Sequence, residues 1–544
     1  MQDRPPYAPS RLPGSAATGP GSPSRSHSEL RRRGFLAATG GAAALGVLGL
    51  SGCGGSASGP EGAGDGKPRR GGRLRAAFAG DGASETLDPH LANLFGDAAR
   101  AKALFDKLAD YDADLSAQPR LAARWEPNKA LDRWTVTLRK ATFHNGDPVT
   151  AEDVLYSYRR ISDPKKAFRS KADLEPIDLE ASRAAGERTV EFRLKRPTAG
   201  FPNVMAAFGA YIVPRGADSF DKPVGSGPFR FVSTRPGRTT LLKRFDDYWE
   251  GAPHLDELEF VTANEESARI NALLGGQVEY AHELTPTTAR AHEKGGQVDI
   301  VRLKNSAMQA FAMKTDRPPF DDKRVREAFF LIADREELVK GALSGAGEVG
   351  NDLFGKGYAY YADGLPQRTQ DLAKARKLLK EAGAEDLKVT LDTSDVSAGF
   401  TEAAGIFRDQ AKKAGVTIKV RTGSPDSYWD DILESGTLCS YRSGAMPIDV
   451  HFSQRLLTGS TTNATKWEHK DFDALYQQAQ STADAKDRTA LYERMQRRLH
   501  REGGFLVWGF ADWIVGTAEK VKGVEKDAPA NTLDWARFDK LWLA

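Results

Sequence analysis

Two cysteines, Cys53 and Cys439, are all that 544 residues contain. No disulfide framework can be built from them, so stability must come from buried apolar surface, which a chain of this size can supply. Excess charge of one sign is missing too. Seventy-seven Lys and Arg stand against 74 Asp and Glu, interspersed rather than blocked, and no nucleic-acid partner is implied. The nine histidines show no metal spacing. His282-Glu283 and His292-Glu293 lack a second His four residues on, so the zinc-protease motif is absent. There is no G-x-x-x-x-G-K-[ST] loop, so any ATPase must be a separate subunit. Gly345 to Gly350 fits G-x-G-x-x-G, but a helix-like segment precedes it where a dinucleotide fold needs a strand, so a flexible loop is expected. No motif argues for a Ser-His-Asp triad. No cofactor is expected.

The apolar run Ala37 to Leu50 is too short for a membrane-spanning helix, which needs about 20 residues. Arg32-Arg33-Gly34-Phe35-Leu36 precedes it and Leu50-Ser51-Gly52-Cys53 closes it. A charged pair, an apolar run and a small-residue box, in that order, make a signal peptide. The arginine pair resembles the twin-arginine export signal, whose cargo crosses the membrane folded. Leu-Ser-Gly-Cys resembles a bacterial lipobox, in which cleavage leaves Cys53 as a lipid-bearing N-terminus. The signal peptide is thus 1–52, and its six arginines against Asp3 and Glu29 give it a net charge of +4. The whole chain is +3, so the mature protein is near −1 and the basic pI belongs largely to the signal. Residues 53–72, rich in Gly and Ser, form a flexible tether with a reach of roughly 25 Å.

From Arg73 the pattern becomes structural. Leu74, Ala76 and Phe78 alternate as in a strand, and a helix is expected over about Asp97–Ala109. Trp134, Val136 and Leu138 mark a half-buried strand, and His144-Asn-Gly-Asp-Pro148 a turn. Thr150 to Asp153 is a capping box opening a helix that Asp163-Pro164 stops. Val190, Phe192 and Leu194 alternate again. Asp371 caps a helix ending at Gly383, and strand, helix, strand over Leu387 to Val420 forms a βαβ unit. Phe505–Trp508 and Trp513–Val515 read as closing strands that return to the first lobe.

Trp134-Thr-Val-Thr-Leu-Arg139 followed by Phe143-His-Asn-Gly-Asp-Pro-Val-Thr-Ala-Glu-Asp-Val154 resembles the signature of the oligopeptide/dipeptide/nickel family of solute-binding proteins, which serve bacterial ABC importers. Val224-Gly-Ser-Gly-Pro-Phe229, Tyr248-Trp-Glu-Gly-Ala-Pro253 and Pro319-Phe-Asp-Asp-Lys-Arg-Val-Arg-Glu-Ala328 continue the resemblance, which covers 73 to 544. Most of these pieces read as turns, caps and packing elements. The resemblance implies an α/β, two-lobed periplasmic-binding fold with an inserted domain. Lobe I would comprise 73–90, 212–306 and 503–544, the insert 91–211, and lobe II 307–502, with crossings near Asn305–Lys314 and Gly503–Phe510 as the hinge.

It also implies a function. A monomeric receptor, lipid-anchored outside the cytoplasmic membrane, would close on a peptide or peptide-like solute and deliver it to an ABC permease with a separate ATPase. An exported lipoprotein hydrolase and a sensory receptor without transport are the alternatives. The cleft residues expected to touch ligand are Tyr441, Arg442, Asp449 and Trp508. Peptide binders of the family carry an aromatic followed three residues later by an Asp that pairs with the peptide's ammonium. Counted from Tyr441, that position here is Gly444, and Arg442 lies close by. A shift of the alignment would make Asp449 the carboxylate instead. On the first count, the ligand is a modified peptide, a sugar-containing compound or an anionic chelate. His451, two residues after Asp449, would share its face if the segment were a strand.

The export reading is checked by fractionation. Cys53→Ser should move the protein from the membrane to the soluble fraction, and replacing Arg32 and Arg33 by Lys should block export. Retention of the Cys53 variant in membranes would refute the lipobox.

Overall fold

The alternation at Leu74, Ala76 and Phe78 makes the strand Arg73–Phe78, the centre of the first lobe. It runs parallel to Glu257–Thr262, with Leu74 opposite Leu258 and Ala76 opposite Phe260, and parallel to Tyr280–Ala281. Thr239–Arg244 and Phe229–Arg235 extend this sheet antiparallel to its edge. The computed structural model describes residues 67–80, 85–92, 94–166, 168–425, 427–526, 529, 533 and 536–544. The signal peptide, Cys53 and the tether up to residue 66 lie outside the described residues. The described residues belong to one compact unit. Among the described residues no helix is long and apolar enough to cross a membrane.

On its other side the sheet continues through two long antiparallel strands, Phe505–Ala518 and Val298–Met313. Beyond them lie Leu438–Gly444, Lys388–Thr393 and Thr417–Thr422, the sheet of the second lobe. The last two are parallel and joined by the helix Phe400–Lys413, the expected βαβ unit. The two closing strands read from the sequence are one strand of 14 residues, whose first half lies in the second lobe and second half in the first. Apolar alternation is interrupted at Gly509 and Asp512. Gly509 stays in the ladder, opposite both Gln309 and Val349, while Asp512 falls at a break in it and donates its N–H to the Ala346 carbonyl at 3.1 Å. The register slips between Leu303 and Ala307, and Asn305 there has φ +51°. Tyr358 donates its hydroxyl to the Asn305 carbonyl at this break.

A separate four-stranded sheet, in the order Ala122–Pro127, Arg133–Leu138, Thr189–Leu194, Ile177–Gly186, has its own core around Trp134, Val136, Phe192 and Phe201. The helix Ala151–Ile161 belongs to this unit and opens with the expected capping box. Thr150 Oγ1 accepts from the Asp153 amide while the Asp153 carboxylate accepts from the Thr150 N–H at 2.8 Å.

The helix expected over 97–109 is instead Phe95–Leu104. The Leu104 carbonyl accepts from the Gly227 N–H at 3.0 Å, and a Cβ at Gly225 would stand 1.9 Å from that oxygen. The Val224–Phe229 loop occupies the space of the next helical turn, and its two glycines let it approach that closely. The G-x-G-x-x-G stretch forms the short strand Gly347–Val349 against Gly509–Ala511, following the helix Arg335–Ala342. No helix opens on it, as a phosphate site requires.

Asp512, beside the register break, is partly buried. Burial pushes its carboxyl up to about 6, with Arg302 at 3.9 Å pulling the other way and Glu348 adding to the rise. The folded state therefore holds this proton more tightly than the unfolded chain. That contribution is complete below the ordinary carboxylate range and is lost as pH rises through about 6. Asp512→Asn should match the wild type near pH 4 and exceed its melting temperature by about 1–2 °C at pH 7. Equal melting temperatures at both pH values would refute the assignment.

A candidate ligand cleft at the hinge

The strand Tyr280–Ala281 ends in His282 and Glu283, and one buried arginine fixes that corner. Arg269, on the helix Glu266–Leu274, donates to the carbonyls of His282 (2.7 Å), Ala263 (2.9 Å), Asn264 (2.7 Å) and Glu283 (2.8 Å). Four carbonyl dipoles replace its water shell, and burial still lowers its pKa. The clamp holds Glu283 at φ +57°.

His282 lies within an aromatic cluster. Its ring centroid is 4.7 Å from Phe78, 5.5 Å from Phe95 and 5.6 Å from Trp513. Trp513 Nε1–H donates to His282 Nε2 at 3.2 Å. An indole can only donate, so that imidazole nitrogen is the acceptor and the ring is neutral. Burial holds its pKa well below the usual value, in agreement. Phe95 packs 4.7 Å from Trp513, and both rings remain partly exposed as a wall of the first lobe.

Arg442 comes to this wall from the second lobe. It sits on the strand Leu438–Gly444, and its Cζ lies 5.7 Å from the Trp513 ring centre. The contact is a cation–π pair across the hinge. The guanidinium is half-buried, yet among the described residues it makes no hydrogen bond or salt bridge. Burial lowers its pKa, and the charge of Glu283 acts in the opposite sense.

The other expected contacts lie elsewhere. Tyr441, on the opposite face of the strand, is buried against Phe505 (4.8 Å) and edge-on to Trp429 (6.2 Å). Trp508 is 1 % exposed, inside the second-lobe core with Phe311, Phe329 and Leu506. Asp449 and His451 lie on a helix, Ile448–Arg455, not on a strand, because Pro447 starts a new element directly after the strand ends. The Asp449 carboxylate accepts both its contacts with Asn203 Nδ2, at 3.0 and 3.1 Å, from the inserted sheet region. It borders a cavity of about 200 Å³ with Asp114, Trp125, Tyr360, Arg488 and Tyr492. Burial pushes its carboxyl up, and the Asn203 bonds restrain the rise. The structure thus groups Arg442 with Trp513, Phe95, His282 and Glu283 and sets Asp449 and Trp508 apart from them. Nothing in the sequence singles out Phe95, the first residue of a helix, or Glu283, two residues past the end of a strand. His282-Glu283 drew notice only as half of a zinc motif.

The quoted motifs explain themselves structurally. Asp106 accepts from the Tyr248 hydroxyl (3.1 Å) and Trp249 Nε1 (2.9 Å), while Glu250 pairs with Arg120 at 2.9 Å. His144 reaches the Gly227 carbonyl (3.0 Å) and accepts from the Gly225 N–H (3.2 Å). The sequence model of the bacterial extracellular solute-binding proteins, family 5 Middle, matches residues 116–465. The chain belongs to this family. It is a bacterial extracellular solute-binding protein. The glutathione-binding protein GsiB of Salmonella choleraesuis is 25% identical over 463 residues, covering 80% of this chain and 87% of its own. The dipeptide-binding protein DppE of Bacillus subtilis is 24% identical, covering 80% and 86%. The substrate-binding protein CtaP of Listeria monocytogenes superposes with a TM-score of 0.77 at 24% identity, over 87% of this chain and all of that one. The two-lobed fold is that of this neighbour.

The contact between Asn203 and Asp449 has its own test. Asn203→Asp would replace the donated bond by two carboxylates about 3 Å apart, which repel where both are ionised. Small-angle scattering should show a larger radius at pH 7.5 for this variant and a wild-type radius once Asp449→Asn is added. An unchanged radius in the single variant would refute the contact.

Proposed function

We propose that this chain is a lipid-anchored receptor that captures a peptide or peptide-like solute bearing an anionic group between its lobes. In this reading it is exported folded, held through Cys53 on the outer face of the cytoplasmic membrane, and acts as a monomer. Its closed form docks on a permease whose ATPase is a separate subunit. The relatives named for glutathione and for a dipeptide support the peptide class.

Arg442 carries the ligand part of the proposal. A half-buried guanidinium without a partner among the described residues keeps its N–H groups available, and a carboxylate offers it two parallel N–H···O bonds. Gly444, where the family's peptide binders place their ammonium-pairing Asp, shares the strand and the face of Arg442. No acid of that strand neutralises the cation, so a ligand anion fits. Closure is favoured because Arg442 reaches from one lobe and the Phe95–Trp513 wall belongs to the other.

Calorimetry with unmodified di- to pentapeptides and their C-terminal amides tests this. Arg442→Met should weaken binding of the free acids roughly 100-fold, about 3 kcal/mol, and leave the amides nearly unaffected. Equal affinity of Arg442→Met and wild type for the free acids would overturn the proposal.

A further inference from the structure

We propose that His282 is a positioning residue for solute capture. Acting through the Trp513 indole, it sets the platform on which the Arg442 guanidinium rests where the lobes meet. This rests on the reading of Arg442 above and names what holds its platform on the opposite lobe.

His282 is the fixed end of the arrangement. Its backbone N–H donates to the Ala77 carbonyl at 2.9 Å, and its own carbonyl accepts from Arg269 at 2.7 Å. Its ring is buried and lies 4.7 Å from that of Phe78, with 29° between the planes. Nε2 accepts from Trp513 Nε1–H at 3.2 Å, so the one proton of the neutral ring sits on Nδ1. Nδ1 in turn donates to the Tyr280 hydroxyl oxygen at 3.3 Å, inside the first-lobe core. Backbone, ring face and both ring nitrogens are thus engaged.

Trp513 is the dependent end. It follows the break in the ladder at Asp512 and packs 4.7 Å from Phe95 on a wall that stays partly exposed. The torsion that turns an aromatic ring is broad, so apolar contact alone leaves the orientation of the indole loosely set. An indole has a single N–H, and His282 takes it. That bond fixes which part of the ring is presented to the second lobe. Arg442 lies over the ring, with Cζ 5.7 Å from its centre. A rotated indole would offer the guanidinium its positive edge in place of its negative face. Because the cation belongs to the other lobe, the platform acts where the lobes meet.

The test combines calorimetry of Ala-Ala-Ala and its C-terminal amide on the full mature protein with NMR of isotope-labelled tryptophan. Trp513→Phe identifies the Trp513 indole resonance by its loss. His282→Leu should shift that resonance and weaken binding of the free acid roughly 10-fold, about 1.4 kcal/mol, while leaving the amide nearly unaffected. His282→Gln, whose side-chain carbonyl accepts an N–H, should recover most of both. Added to Arg442→Met, His282→Leu should cost nothing further. If the Leu variant folds poorly, Trp513→Phe, which removes the donor instead, should show the same selective loss. A histidine that only supports the core would weaken acid and amide alike, and its loss would add in full to that of Arg442. Either result would overturn the inference. So would an unmoved indole resonance, equal loss in the Leu and Gln variants, or wild-type affinity for the free acid in Trp513→Phe. Wild-type affinity in Arg442→Met would sink the reading beneath it, and no binding of either probe by wild type would sink both.

Discussion

The strands Val298–Met313 and Phe505–Ala518 belong to both halves of the sheet, and the rest of the structure is arranged about their shared ladder. Parallel strands in the first lobe and the βαβ unit in the second hang on opposite ends of one hydrogen-bonded pair. A continuous ladder would make the two lobes one rigid sheet. The slip between Leu303 and Ala307 removes ladder pairing over three residues, so rotation there breaks no regular bond. Polar groups gather at this point for the same reason. Asp512, Asn305 and Trp513 lie at or beside this break.

Buried arginines elsewhere show how this chain normally treats a desolvated cation. Arg269 is closed off by four carbonyls. Arg326 donates to the carbonyls of Phe320, Asp321 and Glu502. Arg335 grips Asp352 with both contacts at 2.7 Å. In each case the desolvation cost is offset inside the fold. Arg230 and Arg455, each with a buried Nε that lacks a partner, depart from that pattern, and so does Arg442, with the face of Trp513 beneath it. A cation–π contact contributes about 0.5–2 kcal/mol, which does not replace a guanidinium's hydrogen bonds. Aromatic content alone does not separate core from surface here, since Trp508 and Trp513 differ by five positions on one strand and only Trp508 is enclosed in a core.

Local structure was legible because local residues dictate it. Thr150 and Asp153 close a capping box within one turn, Asp371 caps its helix through the Lys374 amide at 2.9 Å, and Gly383 adopts φ +68°. What depended on distant backbone was not legible. The helix after Phe95 stops where Gly227 claims the Leu104 carbonyl, more than a hundred residues away. The strand Phe505–Ala518 continues past its own Gly and Asp because Val298–Met313 pairs with Gly509 and the Ala346 carbonyl accepts from the Asp512 N–H. Arg442 was identifiable because it stands beside an expected acid that is missing. Glu283 was not, since its neighbourhood is created by Arg269, thirteen and fourteen residues back from the carbonyls it holds.

Closure must be balanced for such a receptor to respond to its solute. Asn203 meets Asp449, the Ala199 N–H donates to the Gln480 carbonyl at 2.8 Å, and Gln454 reaches Asp173 at 2.9 Å. Each such bond contributes a net of about 0.5–1.5 kcal/mol, so together they favour approach of the inserted region to the second lobe by a few kcal/mol. Against them stands Arg442, a half-buried guanidinium with no hydrogen bond or salt bridge among the described residues. A solute that paired with it would remove the opposing part and keep the favourable contacts. The closed population would then rise by the differential affinity of the solute for the two forms.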